Sequence, residues 1–224
     1  MNIRSSLFTL PLILSGLLSA GTNVLAEEIR LPVPPKDLLK ILPETPPEWQ
    51  LVASNAKHLA RTPPASSAYR EYRHTPPPPP PGTPAPAPST VKIEILDTAE
   101  NSNISDYFAS LGTAAGTRQV TVNSTPAIHL QAAGETDRLE ALAHRRFLLR
   151  ISIVGNEKIK AEDWMKAINL AALQRAGEKT ASVNTSEEYT VVSEVVDELD
   201  PKRNRVQKIV KGVPAAPTEE TSPQ

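Results

Sequence analysis

The chain has 224 residues, with 24 Lys and Arg set against 25 Asp and Glu, and no cysteine. Its near-zero charge lacks the basic surplus that nucleic-acid binding calls for, and the missing thiols argue against disulfides, thiol catalysis, zinc–thiolate sites and a cysteine-linked lipid anchor. What remains is room for one ordinary hydrophobic core with extensions, in which 23 prolines are the compositional outlier.

The amino-terminal 26 residues read as a signal peptide. Arg4 gives a positive start, Leu7 to Leu18 is a short apolar run, and Val24-Leu25-Ala26 places suitable residues before a cleavage site after Ala26, with Ala20 as the second choice. About a dozen apolar residues are too few to span a hydrocarbon core of roughly 30 Å. The expectation is therefore an exported protein, periplasmic or extracellular, with no stable membrane insertion once the signal is removed.

Residues 27–47 read as a proline-rich linker with one helical turn at Lys36–Leu42, closed by Pro43. Glu48–Ser54 alternates, with Trp49, Leu51 and Ala53 on one face, and Ala68–His74 alternates as well. A proline-rich insertion follows over residues 75–89, with six consecutive prolines at Pro76–Pro81. Proline fixes φ and cannot donate to a ladder, so this tract is extended polyproline II or irregular. Thr90–Asp97 is the clearest strand, with Val91, Ile93 and Ile95 facing one way and Lys92 and Glu94 the other. Asn101–Leu111 switches to helical spacing through Ile104, Tyr107, Phe108 and Leu111 and ends at Gly112. Short strands are expected at Arg118–Val122, Ala127–Gln131, Arg138–Ala143 (where Leu139, Leu142 and Ala143 also fit a helix) and Phe147–Ile153, with His144-Arg145-Arg146 at a hairpin turn. Ala161–Ala176 reads as one amphipathic helix carrying Trp164, Ile168 and Ala171, with Gly177 just past its end.

Runs of adjacent strands with two helices predict an α+β fold, a mainly antiparallel sheet with the helices packed on it. Residues 48–75 hold too few apolar side chains for a core of their own. The proline tract is therefore expected to be a long loop between neighbouring strands of a single domain, residues 48–177. Residues 178–224 form a polar carboxy-terminal extension. Within it, residues 187–211 fit either a helix, through Val192, Val195, Val196 and Leu199, or a hairpin turning at Asp200-Pro201, and the β-branched content favours the hairpin. The last dozen residues read as a disordered tail.

Pro47-Glu48-Trp49-Gln50-Leu51, the TVKIEILD strand ending at Asp97, Val120-Thr121-Val122-Asn123 with Pro126-Ala127, Arg146-Phe147-Leu148-Leu149 and the DWMKAINLAAL segment carry a resemblance. Over Trp49–Leu173 the chain resembles small exported bacterial domains of the Mog1/PsbP-like fold. The chain departs from it at the proline tract and at Ser124, where a turn glycine is usual. The resemblance implies a non-catalytic accessory or assembly factor, without an active site to carry over.

The four histidines, His58, His74, His129 and His144, share no metal-ligand spacing, and no nucleophile elbow, phosphate loop or dinucleotide fingerprint occurs. No catalytic residue, cofactor or metal is therefore assigned. The expected function is a non-enzymatic interaction or assembly module with a protein partner, carrying the proline tract as an arm. The alternative is a small-molecule-binding or hydrolytic domain with a pocket between helix 101–111 and the sheet. For that pocket the candidate ligand-binding residues are Asp97, His129 and Arg146, at least two of which must then converge.

Overall fold

The computed structural model describes residues 28–59, 64–84, 87–99, 103–131, 133–155, 158–184 and 189–211. The signal-peptide reading and the expected tail after residue 211 lie outside them. The fold is α+β, dominated by a nine-stranded sheet whose pairings are all antiparallel.

In chain order the elements are β1 (Glu28–Arg30), α1 (Pro35–Leu39), β2 (Trp49–Leu59), β3 (Ala65–His74), β4 (Ser89–Asp97), α2 (Asn103–Gly112), β5 (Arg118–Val122), β6 (Thr125–His129), β7 (Asp137–Ala143) and β8 (Phe147–Val154). There follow α3 (Ala161–Lys166), α4 (Leu170–Glu178), β9 (Ser182–Asn184), β10 (Tyr189–Asp197) and β11 (Arg205–Lys211). The large sheet runs β11-β10-β2-β3-β4-β8-β7-β6-β5, and β1 pairs separately with β9. Strands β2, β3 and β4 form one meander. From there α2 carries the chain to the far edge, and a second meander, β5 to β8, returns to pair with β4.

The alternation that marks β4 places Val91, Ile93 and Ile95 opposite Ile153, Ile151 and Leu149 of β8, and all six are fully buried. Leu139 and Ala141 of β7 continue the layer. Side chains of Met165, Ile168 and Leu173 from the α3–α4 region cover it, together with Leu38 and Leu39 of α1. Each large aliphatic side chain sealed there contributes roughly 1.5–3 kcal/mol. Helix α2 lies on the opposite face, where Ile104 and Phe108 reach the outward side chains of β6 and β7.

Several sequence expectations shift. Residues 27–47 are no linker over their described part: Val33, Leu38, Leu39, Ile41 and Leu42 enter the main core. Ala53 does not share a face with Trp49 and Leu51, because the register of β2 on β3 slips between Leu51 and Ala53 and hands the inner face to Ser54 and Ala56. The single helix over Ala161–Ala176 is two. The Asn169 side chain accepts from the Ala172 amide (2.9 Å) and starts α4 afresh, which buries Leu173 and leaves Ala171 exposed. Gly177 lies inside α4 instead of past its end. It stands there because a Cβ would come within 3.0 Å of the Phe147 ring. Residues 189–211 form the hairpin rather than the helix, and β10 adds it to the sheet beside β2.

The proline tract is the loop joining β3 to its neighbour β4. Its descent ends in a turn in which Thr83 N–H donates to the Pro80 carbonyl (3.1 Å) around Pro81-Gly82. Gly82 has φ +85° and nothing within 4 Å of where a Cβ would lie, as fits the second central position of a type II turn at an exposed tip.

Candidate functional site

Asp97 and Arg146 do converge. Asp97 ends β4 opposite Phe147, and Arg146 closes the β7–β8 turn, in which His144 and Arg145 take positive φ. Arg146 Nε and Nη2 donate to the two Asp97 oxygens at 2.7 and 2.8 Å. The remaining capacity is spent on backbone. Asp97 also accepts from Val33 N–H (2.6 Å) and Ala99 N–H (2.9 Å). Arg146 also donates to the carbonyls of Gly177 (3.0 Å) and Leu31 (3.0 Å) and to Thr180 Oγ1 (3.1 Å). The side chains are 0% and 3% exposed. With every polar atom committed and no opening, the pair ties the amino-terminal strap, β4, the β7–β8 turn and α4 into one node. It has nothing left to offer a ligand.

His129 is elsewhere, on β6. Its Nδ1 lies 3.0 Å from Asp137 Oδ1 and its Nε2 2.8 Å from Glu162 Oε1. Asp137 Oδ2 accepts the Ala161 N–H (2.9 Å) at the start of α3, so the histidine clasps that helix to the sheet. The carboxylates sit on opposite ring nitrogens and cannot meet at one point. Among the described residues no group of three such side chains could hold a metal ion. A cavity of about 550 Å³ opens beside the clasp, lined by Arg118, Gln131, Glu135 and Thr136. The Thr136 hydroxyl there is held by Gly155, accepting its N–H at 2.8 Å, and is no free nucleophile.

A hollow does exist between α2 and the sheet, about 280 Å³, formed by Phe108, Ala109 and Gly112 against Val120, Ala127 and Ile128. None of Asp97, His129 and Arg146 lines it. Its polar side chains are Gln119 and Thr121, and it holds no acid or base. The charges on this face lie to one side, where buried Glu140 accepts from Arg138 (2.7 Å) and Arg150 (2.9 Å) and the Tyr107 hydroxyl is 3.2 Å away. Burial, followed by the neighbouring Glu140 carboxylate, raises the Tyr107 hydroxyl above its ordinary pKa of 10.0.

A further groove with recognition chemistry lies at the Trp49 end of β2. Trp49 and Trp164 meet edge-on at 4.9 Å, Tyr72 packs against Trp164 at 5.0 Å, and the His74 ring lies 5.4 Å from Trp49. The two indoles, with Pro43, Pro46, Ile159 and Ala167, line a groove of about 620 Å³ rimmed by Glu44, Asp163, Lys158 and Lys160. The buried Tyr72 hydroxyl donates to the Pro43 carbonyl and fixes one wall. Burial pushes that hydroxyl up to about 12. Trp164 belongs to the core and is 8% exposed, whereas Trp49 is half-buried at its edge. Alternation gives the face of Trp49 but not its position at the rim, although Pro43, Pro46 and Pro47 just before it were a visible sign of an irregular approach. Comparison with family models, with curated proteins and with solved structures finds no match to this chain.

Proposed function

We propose that the chain is an exported, non-enzymatic interaction or assembly module that engages a protein partner through its proline arm. The observation that carries this is the presentation of the arm. Pro77, Pro78, Pro80, Pro81 and Gly82 are exposed, while both ends of the loop enter the paired strands β3 and β4 at the middle of the sheet. Polyproline II is already ordered before binding, so docking it costs little further entropy. The node at Asp97 and Arg146 adds support, because the one strong charge pair among the candidate residues is consumed by architecture. The resemblance to Mog1/PsbP-like accessory domains points the same way. Among the described residues no helix is long and apolar enough to cross a membrane, which is compatible with a processed, exported form.

The test is affinity capture from a periplasmic extract with the processed chain and with a variant lacking residues 76–88. A partner recovered by the first and not by the second supports the reading. Equal recovery by both, or none by either, counts against it. The hollow under α2 supports a second reading, a small apolar ligand bound without chemistry. Saturable binding of such a ligand, abolished by Ala109→Trp, would favour it.

A further inference from the structure

We infer that the Trp49–Trp164 groove is the receptor for the proline arm of a second copy of this chain, an assignment that rests on the arm being the interaction element. The chemistry of the two surfaces matches. A polyproline strand has ridged apolar faces and carbonyl oxygens but no N–H groups, so its receptor needs flat aromatic surfaces and donors. The groove supplies the half-buried Trp49 indole, the edge of Trp164 that reaches its wall (8% exposed), and Lys160 as a donor at the rim.

The arm in turn has faces to give. Polyproline II repeats every three residues, so Pro76 and Pro79 share a face, as do Pro77 with Pro80 and Pro78 with Pro81. Only Pro76 and Pro79 are half-buried within their own copy; the other two faces are open. No described residue of the arm lines the groove of its own molecule. Exposed Arg73 lies three residues before Pro76, while the groove rim carries Glu44 and Asp163 together with Lys158 and Lys160, so its charges balance and docking rests on the aromatic and apolar surface.

Placement makes a reciprocal contact economical. The root of the arm and the groove share one rung of the sheet, because Trp49 pairs with His74 and the tract begins at Thr75. A two-fold axis beside this rung lays each arm across the other copy's groove, so both contacts form together and the assembly closes as a dimer. Six prolines extend about 19 Å at roughly 3.1 Å per residue, enough to cross a neighbouring groove of two indoles.

The chain contains only two tryptophans, and both line this groove, so emission excited at the red edge of tryptophan absorption, where the four tyrosines are silent, reports on this region. A peptide spanning Arg73–Pro88, titrated into the variant lacking residues 76–88, should shift the tryptophan emission saturably. The same peptide with Pro77, Pro78, Pro80 and Pro81 replaced by alanine should not. Sedimentation of the processed chain should show a monomer–dimer equilibrium. It should weaken about tenfold or more in Trp49→Ala and vanish in the arm-deleted variant. Trp49→Phe, which keeps an aromatic face, should retain most of the association, and circular dichroism of each variant separates lost docking from lost folding. Unchanged emission at about 1 mM peptide, or a monomer at every concentration up to about 1 mM, overturns the assignment. A monomer whose arm still captures a different periplasmic protein overturns the second copy as occupant and leaves the interaction module standing. A monomer that captures nothing overturns both.

Discussion

Asp97–Arg146 and His129–Asp137–Glu162 are both charged clusters that pin a helix region to the sheet, yet they are built to different degrees of closure. In the first, two oxygens and a guanidinium satisfy one another and five further partners, with both side chains at most 3% exposed. In the second the ring is 14% exposed, Glu162 is 34% exposed, and a cavity adjoins. The difference separates two jobs a polar cluster can do. A sealed pair specifies which segments meet and is expensive to break. A half-open one holds a local contact that water can replace.

This contrast can be broken or sharpened by substitutions graded from sealed to open. Arg146→Met leaves the Asp97 carboxylate buried beside backbone amides without its counter-ion. It should cost about 3–5 kcal/mol by urea denaturation, and adding Asp97→Leu should return a good part of the loss. If Arg146→Met alone cost under about 1 kcal/mol, the node would not be the keystone argued here. Tyr72→Phe removes a sealed but neutral donor and strands the Pro43 carbonyl, for about 1–2 kcal/mol. The wild-type hydroxyl is held protonated by burial, so its contribution is complete below pH 10 and disappears as the pH rises through about 12. That alkaline loss should be absent from the Tyr72→Phe melting profile.

His129→Gln keeps at most part of the α3 clasp and should cost about 1 kcal/mol, concentrated in faster hydrogen exchange at the Ala161 amide. Glu198 is the most open of the series. It accepts from Arg70 at 2.7 and 2.9 Å and from Ser54, tying the β10–β11 end of the sheet to β2 and β3. The Arg70 guanidinium holds its carboxyl below the ordinary 4.5. Its stabilisation is therefore full above pH 4.5 and fades as the pH falls through the lowered value. With a third of the side chain in water, Glu198→Gln should cost only a few tenths of a kcal/mol to about 1 and flatten this acid-side slope.

Much of the architecture was legible because it rests on local periodicity. Val91, Ile93 and Ile95 announced the central strand, and Phe147 to Ile153 announced its partner. The scarcity of apolar residues in 48–75 argued that the tract joins neighbouring strands, and β3 pairs β4 as that requires. What escaped depends on distant or competing contacts. Leu38 and Leu39 looked like passengers in a proline-rich stretch, since nothing local reveals that α1 covers β2 and β3. Asn169 broke a good helical stripe because one side-chain cap outcompetes a weakly apolar continuation. Ser124 departed from the expected turn glycine, yet Asn123 and Ser124 both adopt positive φ in the two-residue β5–β6 turn, so the backbone geometry is met without the residue that favours it. At the candidate site, the meeting of Asp97 with Arg146 was within reach of the sequence, but their complete enclosure was not. Enclosure needs Leu31, Val33, Gly177 and Thr180, none of which carries a chemical signal.

The strap that closes the node also sets a schedule for folding. Leu31 and Val33 bind partners as far as 115 and 64 positions further along the chain, and among the described residues β1 has its strand partner in β9, at residues 182–184. As the polypeptide emerges amino end first, Val33 can meet Ser66 and Asp97 and α1 can settle on β2 and β3, but β1 must wait for β9, some 150 residues later. Closing the strap over the node is thus a late event, coming after the central strands β2, β3, β4 and β8 have all been delivered.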